Sequence, residues 1–408
     1  MAEIAHPLIV PLRRLPLAGH LLRRAALQRL RSTWRGPRLD LTLPSGERYQ
    51  LGTGTSDAHA TIHDDRMFLR MLLRGEIGAG EAFVAGDWSA DDLVTTLRAF
   101  ILGTAAHGFE SPLTRLAQLP ELLRHRRSAN SRSGSERNIH AHYDLGNAFY
   151  QLFLDPDTLS YSCGIFRGQS SLADAQHAKH ERLCELLELR ADDHLLEIGC
   201  GWGGMAIHAA RTRGCRVTAI TISRQQYELA TARVAAAGLA DRVSIAYRDY
   251  RDLEGTFSKI VSIEMLEAVG FEFMPSYFAT CARLLAPGGR IALQSITMPD
   301  DRFDAYRKRV DWMQTYIFPG SCIPSLSAIR ACLAPTSLRI TRADDIGPDY
   351  ARTLEAWRQA FVIALPEVRA LGFDEPFVRT WLLYLAFSEA AFAARALGDH
   401  QLVITRTA

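Results

Sequence analysis

The sequence lacks several features that mark secreted, membrane-spanning and metal-binding proteins. Its seven cysteines are odd in number and none has CxxC spacing, which argues against a disulfide framework or a zinc site. No uncharged apolar run approaches the ~18 residues of a membrane-spanning helix, and Pro11 and two arginines interrupt the apolar start, so no signal peptide is expected. We therefore expect reduced thiols, no bound metal and a cytoplasmic protein.

Length and composition favour two globular domains. The chain has 408 residues, of which 48% are hydrophobic and 23% are charged, and it contains no internal repeat. Residues 124–137 are polar, basic and nearly free of apolar side chains, a composition typical of a linker. We predict a smaller N-terminal α+β domain over residues 1–123 and a larger domain over residues 138–408.

Positive charge is concentrated at the N-terminus, although the net charge is only +2. Residues 1–39 contain eight arginines and a single acid, Glu3, with leucines between them. Such a basic amphipathic segment suits an anionic bilayer surface, nucleic acid, or a surface helix that packs on its own domain. The sequence leaves these three interpretations open.

After the linker, strand and helix patterns alternate. Residues 195–198 form a short apolar run, followed by a glycine-rich turn, a helical pattern over 205–211 and a second apolar run over 215–222. This order predicts a βαβ unit. Further strands are predicted at residues 243–247, 259–263, 290–293, 338–341 and 402–405, the last two as a terminal hairpin around helical patterns between 350 and 396. The predicted fold class is α/β, Rossmann-like, with a mostly parallel sheet.

The glycine-rich turn is the first candidate for a ligand site. Gly199 and Gly201 lie between the first strand and its helix, where missing side chains let a ligand approach the backbone. A dinucleotide site would carry an acid roughly 20 positions later to hold the ribose, and this chain has Thr221 in that region instead. Glu197 before the first glycine and Asp249 after the third strand favour S-adenosylmethionine as the cofactor, with a purely structural turn as the alternative.

Five motifs, taken together and in order, point to a known family. They are residues 142–147 (HYDLGN), 161–163 (YSC), 197–204 (EIGCGWGG), 316–320 (YIFPG), and Asp349 and Tyr350 before Thr353. With these motifs the chain resembles the cyclopropane-fatty-acyl-phospholipid synthase family, which includes the mycolic acid cyclopropane synthases and related lipid methyltransferases, over roughly residues 135–405. The resemblance implies a class I methyltransferase fold with a seven-stranded sheet in the larger domain.

The resemblance also implies two sets of site residues. Those implied to bind S-adenosylmethionine are Tyr161, Ser162, Gly199, Gly201, Thr221, Gln226, Arg248 and Asp249. Those implied to hold a catalytic bicarbonate are Cys163, Glu267, Gln294, Tyr350 and the backbone of Ile296. Gln294 stands where the family has a histidine, and its amide donates hydrogen bonds to an anion but carries no positive charge.

Three of these residues have simpler interpretations. Gln226 is also the third residue of a capping box that would begin at Ser223. Cys163 is also compatible with an inert core thiol, and Glu267 with a solvated helix charge.

The implied chemistry is methyl transfer to a weak nucleophile. An alkene carbon needs close alignment with the sulfonium methyl group rather than a strong nucleophilic side chain, so the lack of a Ser-His-Asp triad is no objection. The carbocation left after transfer would lose a proton to the bicarbonate and close a cyclopropane ring on the cis double bond of a membrane phospholipid acyl chain. Because Gln294 replaces the histidine, a methylene or methyl-branched product stays open.

Residues 303–318 are the candidate cover of the acyl-chain site. They mix aromatic and apolar side chains with basic ones, and Trp312, Tyr316 and Phe318 are the candidate substrate-binding aromatics. Such rings stabilise a cation that they face, although aromatic residues at these spacings are also typical of an ordinary core.

The expected partners follow from this substrate. We expect peripheral contact with the inner face of the membrane, with residues 1–123 as the lipid-associated domain; the resemblance alone implies a possible homodimer. No RNA-binding module or stacking array is visible in the sequence, so a nucleic-acid partner is not expected. The alternative from another class is a lipid-binding or dimerisation module whose catalytic domain has lost its chemistry.

Overall fold

The structure, a computed structural model, describes residues 19–55, 58–104, 134, 145–168 and 171–406. The predicted linker lies outside the described residues except for Gly134, and so do residues 1–18 and the first three residues of the 142–147 motif. The boundary at residues 124–137 therefore stays a prediction.

The N-terminal part contains a small four-stranded sheet. Its elements are α1 (Gly19–Thr33), β1 (Leu39–Thr42), β2 (Arg48–Leu51), β3 (His59–Ile62), α2 (Arg66–Arg74), α3 (Glu76–Val84), β4 (Trp88–Ala90) and α4 (Leu93–Thr104). The strand order is β2-β1-β3-β4, with β1 and β3 parallel and the other neighbours antiparallel. This arrangement confirms the predicted smaller α+β domain.

Helix α1 carries the second half of the basic segment. Ala26, Leu27 and Leu30 are buried on one face of the helix, because they recur at the spacing of a helical turn. An ion pair of 3.3 Å joins Arg23 to Asp65 at the start of α2. Helix α1 therefore packs on its own domain.

The larger part contains a seven-stranded sheet. Its strands are β5 (His194–Ile198), β6 (Arg216–Thr221), β7 (Val243–Tyr247), β8 (Phe257–Ile263), β9 (Leu285–Thr297), β10 (Leu338–Asp345) and β11 (Gly398–Arg406). They are ordered β10-β11-β9-β8-β5-β6-β7. In this sheet β11 runs antiparallel to both of its neighbours, and the remaining pairs are parallel. The mostly parallel sheet that the sequence predicts is confirmed.

Eleven helices accompany this sheet among the described residues. They are α5 (Asn147–Tyr150), α6 (Leu172–Leu187), α7 (Gly204–Arg213), α8 (Arg224–Ala236), α9 (Met274–Leu284), α10 (Asp300–Tyr306), α11 (Trp312–Tyr316), α12 (Leu326–Leu333), α13 (Gly347–Ile363), α14 (Leu365–Ala370) and α15 (Glu375–Ala393). Short polar side chains set several starts: Ser171 caps α6, and Asp374 caps α15, each by accepting a backbone N–H of the first turn. Within the described residues, no helix is long and apolar enough to cross a bilayer.

The predicted strands differ from the observed ones mainly in length. Strand β9 extends from Leu285 to Thr297, well beyond the predicted 290–293, because β11 pairs along its whole second half. Strands β10 and β11 form the expected terminal antiparallel pair, although three helices separate them in sequence.

The two parts share one hydrophobic core. Buried side chains of the N-terminal elements, such as Phe83 and Leu97, belong to the same cluster as Trp357 of α13 and Trp381 of α15. Arg379 of α15 donates hydrogen bonds of 2.7 Å and 3.3 Å to the backbone oxygens of Phe83 and Trp88. The N-terminal part is therefore packed firmly against α15.

Candidate active site

A pocket opens at the carboxyl ends of β5, β6 and β8, where the direction of strand order reverses. In open α/β sheets this position is the usual place for a ligand. The residues implied to bind the cofactor all line this one pocket: Tyr161, Ser162, Gly199, Gly201, Thr221, Gln226, Arg248 and Asp249. Residues spread over 89 positions of sequence thus meet around one cavity, from 161 to 249.

The glycine turn has a backbone that side chains would disturb. Gly199 has φ +83°, and a Cβ there would lie 2.8 Å from the Cγ of Met265. Gly201 also has a positive φ, of +50°. Glycine is therefore required at the turn for reasons of conformation and of space.

Glu197 is a buried carboxylate at the end of β5. Its Oε2 finds no hydrogen-bond partner among the described residues. Burial raises the pKa of Glu197 to about 8, while the charge of Lys179 acts in the opposite direction. A buried acceptor without a partner suits a cationic ligand group, such as the ammonium of an amino acid.

Gln226 faces the pocket rather than closing a capping box. Ser223 accepts the backbone N–H of Gln226, as the first half of the box requires. The Gln226 side chain instead accepts a hydrogen bond of 2.8 Å from Thr221 Oγ1. The structure thus favours the cofactor interpretation of Gln226 over the capping one, and the contact itself stays a prediction. Asp249 lines the same pocket and is paired with Arg251 at 2.6 Å.

A second group of polar side chains meets at Glu264, directly after β8. The Glu264 Oε1 accepts hydrogen bonds of 2.8 Å from the backbone N–H of Cys163 and from Gln294 Nε2. Its Oε2 accepts one of 2.5 Å from Tyr350 OH. Three of the five positions implied to hold bicarbonate therefore donate to a carboxylate of the protein itself.

Sequence reasoning missed Glu264. Its backbone has φ +48°, a left-handed conformation that is uncommon for a residue with a long side chain. Its backbone N–H donates a hydrogen bond of 2.8 Å to the backbone oxygen of Gln294. Strained residues of this kind cluster at functional sites. The one signal in the sequence is its position immediately after a buried strand, at the edge of the sheet where ligands bind.

Glu267 and Ile296 bond to each other. Glu267 Oε1 accepts hydrogen bonds from Ile296 N–H at 2.5 Å and from Ser295 Oγ at 2.9 Å, and its Oε2 finds no partner among the described residues. Burial, and then the charge of Glu264, raise the pKa of Glu267 to about 8. Glu267 is therefore a buried group beside the Glu264 cluster rather than a solvated helix charge.

Asp399 is a second acid that sequence reasoning missed. Its Oδ2 accepts a hydrogen bond of 3.1 Å from Gln294 Nε2, and β11 places it opposite Ile296. Burial and the negative charge of Glu264 raise the pKa of Asp399 well above its usual range. Nothing local in the sequence separates this aspartate from a surface one, because β11 is brought here by strand pairing.

Cys163 contributes its backbone rather than its thiol to Glu264. The side chain is fully buried, and its Sγ lies 3.1 Å from the Gly164 oxygen. Burial raises the pKa of the Cys163 thiol well above its usual range. The thiol is therefore neutral, and the amide is the group that positions the carboxylate.

The three aromatic residues of the predicted cover meet other elements of the protein. Trp312 packs against Gly80 of α3, where an added Cβ would lie 2.4 Å from the Trp312 ring. Tyr316 OH donates a hydrogen bond of 2.5 Å to Glu81. Phe318 packs edge-on against Tyr384, whose OH bonds that of Tyr161 at 2.7 Å. The segment thus links the N-terminal domain to the pocket wall, and its contact with substrate stays a prediction.

Comparison with known proteins agrees with this geometry. Residues 130–402 match the family model described as mycolic acid cyclopropane synthetase. The chain is 40% identical over 367 residues to a tuberculostearic acid methyltransferase from Mycobacterium tuberculosis, covering 87% of this chain and 85% of that protein. It is 35% identical over 360 residues to a cyclopropane-fatty-acyl-phospholipid synthase from Escherichia coli, covering 86% and 89%.

A solved structure shares the fold of the larger domain. The mycolic acid cyclopropane synthase complexed with SAH and CTAB is 29% identical, covers 66% of this chain and 98% of its own, and superposes with a TM-score of 0.62. The family model spans most of the chain, and the pocket holds every residue implied to bind the cofactor. The chain belongs to the mycolic acid cyclopropane synthetase family and is an S-adenosylmethionine-dependent lipid methyltransferase.

Proposed function

We propose that this enzyme methylates the cis double bond of an unsaturated acyl chain in a membrane phospholipid and closes a cyclopropane ring on it. The observation that supports this proposal most is the position of Glu264. Its carboxylate lines the cofactor pocket and is also the centre of the buried polar cluster. A proton acceptor thus lines the same cavity that we propose for the cofactor, which supports the proposal.

The pocket fits S-adenosylmethionine in several of its features. The glycine turn lets a ligand lie against the backbone, and Glu197 offers an ammonium group an oxygen that has no partner in the ranges that the structure describes. Thr221 and Gln226 present polar atoms to an adenosine, and Asp249 lies at the end of the next strand. When bound, the cofactor supplies an electrophilic methyl group on a positively charged sulfur.

The side chains of the protein then have two tasks, which are to accept a proton and to hold the proton acceptor in place. The π electrons of the alkene form the new bond to the methyl carbon as the bond between that carbon and the sulfur breaks, with its electron pair staying on the sulfur. The positive charge moves to the other alkene carbon. Glu264 takes a proton from the methyl carbon just delivered, and the electrons of that C–H bond close the ring. Cys163 N–H, Gln294 and Tyr350 fix the carboxylate for this step, using three of its four lone-pair positions.

The resemblance implies bicarbonate as the base in place of a side chain. The donors expected for that ion hold Glu264, so we propose that the Glu264 carboxylate accepts the proton in its stead. Bicarbonate stays the alternative. The two bases differ in one measurable property, because only a dissociable ion makes the rate depend on added bicarbonate.

The phospholipid substrate also requires contact with a bilayer. We propose that residues 1–39 supply this peripheral contact at the inner face of the membrane. In the described half of this segment, Arg24 and Arg31 are exposed and Leu21 is 72% exposed, a combination that suits an anionic interface. A homodimer is likewise proposed from the family alone.

The test is an incubation of the purified protein with S-adenosylmethionine and liposomes of cis-monounsaturated phospholipid, with and without bicarbonate. Mass spectrometry and proton NMR of the acyl chains are expected to show a gain of one CH2 and upfield ring protons. Rates that do not respond to bicarbonate would support Glu264 as the base, and a strict requirement would support the ion. No modified lipid under any of these conditions would overturn the proposal.

A methylene product is the second candidate, and a methyl-branched chain would require its later reduction by a separate hydride donor. Gln294 is neutral where the family has a histidine, and a relative with 40% identity is named a tuberculostearic acid methyltransferase. If a hydride migrates to the cationic carbon before the proton leaves, the same base gives an exocyclic methylene group. Vinylic proton signals with the same gain in mass would establish this product.

A further inference from the structure

Lys179 is a buried cation in the wall of the cofactor pocket. Its side chain on α6 is completely buried, and it lies among the residues that line the pocket. Lys179 Nζ donates hydrogen bonds of 2.7 Å to Ser162 Oγ and 2.5 Å to Gln176 Oε1. A lysine is seldom buried without a specific role, because removing its charge from water is costly.

The direction of these hydrogen bonds determines what Ser162 can do. An ammonium group only donates, so Ser162 Oγ must accept from Lys179. The single hydroxyl hydrogen of Ser162 is then available to an acceptor elsewhere. Gln176 fixes the same residue from the other side, because its Nε2 donates 2.8 Å to the Ser162 backbone oxygen. Ser162 is thus held as a donor at the pocket wall.

Two polar features of this pocket, Glu197 and the pair of Lys179 and Ser162, suit ligand groups of opposite charge. Glu197 places in the wall a carboxylate oxygen that finds no partner within the described part of the chain, and such an oxygen suits a positive group. Lys179 with the Ser162 hydroxyl provides a donor beside a positive charge, which suits a carboxylate. Burial lowers the pKa of Lys179 to about 8, while the charges of Glu264 and other acids oppose this effect. An α-amino acid carries both complementary groups, one on each side of a single carbon.

We propose that Lys179 is a positioning residue, which orients the Ser162 hydroxyl to donate to the α-carboxylate of the cofactor. Gln176 supports it by fixing the Ser162 backbone. This inference rests on the proposed cofactor and goes beyond it, because it assigns the recognition of the carboxylate end to a residue on α6 that no motif contains.

The test compares two ligands that differ at this end. S-adenosylhomocysteine has the amino-acid carboxylate, whereas 5′-methylthioadenosine keeps the adenosine and sulfur and lacks it. Calorimetric binding to wild type, Lys179→Met and Lys179→Gln needs no turnover. We expect Lys179→Met to weaken S-adenosylhomocysteine about tenfold or more and to leave methylthioadenosine within about twofold. Lys179→Gln, whose amide can still donate to Ser162, should recover part of the loss.

Three further variants make the result specific. In Ser162→Ala the same selective loss is expected, and the double variant with Lys179→Met should be no weaker than either single one, because both act on one contact. Lys259→Met, the same change on β8 outside the pocket, should bind both ligands as wild type does.

Equal losses for both ligands, or additive losses in the double variant, would overturn the inference and leave the proposed function intact. If wild type bound no S-adenosylhomocysteine, the proposed function and the inference would both fail. Should Lys179→Met not fold, Lys179→Gln and Ser162→Ala still give the ligand comparison.

Discussion

Replacing Glu264 by glutamine separates its role as a base from its role in the fold. The change keeps the size of the side chain and removes its charge. Glu264 accepts hydrogen bonds of 2.8, 2.8 and 2.5 Å from Cys163, Gln294 and Tyr350. The amide oxygen can still accept the first two, and Tyr350 OH can accept from the amide nitrogen, so every polar group keeps a partner.

The expected effect on stability is small and the expected effect on rate is large. Hydrogen bonds to a charged group contribute about 1 kcal/mol more than neutral ones, but loss of the charge also removes the interaction by which Glu264 raises the pKa values of Glu267 and Asp399. We therefore expect a change in unfolding free energy within about 2 kcal/mol. Removing a general base costs about 10²- to 10⁴-fold in rate, or about 3 to 5 kcal/mol in activation free energy.

The assay follows production of modified acyl chains and, separately, the binding of S-adenosylhomocysteine and urea unfolding. Glu272→Gln, at an exposed position on the turn after β8, is the matched control and should retain full activity. Glu264→Gly suits the positive φ and opens the anion site, so added bicarbonate should restore part of its rate. A Glu264→Gln enzyme with more than about a hundredth of the wild-type rate would refute the reasoning, since a true base costs at least about 10²-fold.

Three more predictions concern stability and reactivity. Burial raises the pKa of Glu267 to about 8, so the stability that this side chain contributes is present at low pH and is lost as the pH rises towards 8. In urea unfolding, the free energy of unfolding of Glu267→Gln should therefore increase by several kcal/mol relative to wild type between about pH 5 and pH 8. A difference that stays constant with pH would contradict this. Gly80→Ala should lower stability by about 1 to 3 kcal/mol in thermal unfolding, because its Cβ meets Trp312, and adding Trp312→Leu should recover part of the loss. All seven cysteines are buried, and burial raises the pKa of the Cys163 thiol. A thiol reagent at neutral pH should therefore label the native protein slowly, and it should label all seven thiols after denaturation. Rapid labelling of Cys163 in the native protein would contradict its burial.

Local patterns in the sequence determined the cofactor side of this site. The glycine turn of 199–204, the alternation of strands and helices, and the residues at strand ends are all contained in short stretches of chain. Because parallel strands joined by helices present their carboxyl ends at one edge, those stretches already predict where a ligand binds. The pocket then contains every residue that the resemblance implied for the cofactor.

Only the tertiary structure decided which group occupies the centre of the polar cluster. The donors to Glu264 lie 101, 30 and 86 positions away in sequence, on a loop, on β9 and on α13. Lys179 and Asp399 likewise acquire their surroundings from elements that are distant in the chain. A glutamate directly after a strand is common in sequences and does not by itself indicate a site. The left-handed backbone of Glu264 and its three hydrogen-bond donors arise from long-range packing, which no local sequence pattern predicts. The sequence thus determined where the chemistry takes place, and the packing of distant elements determined which side chain is placed to perform it.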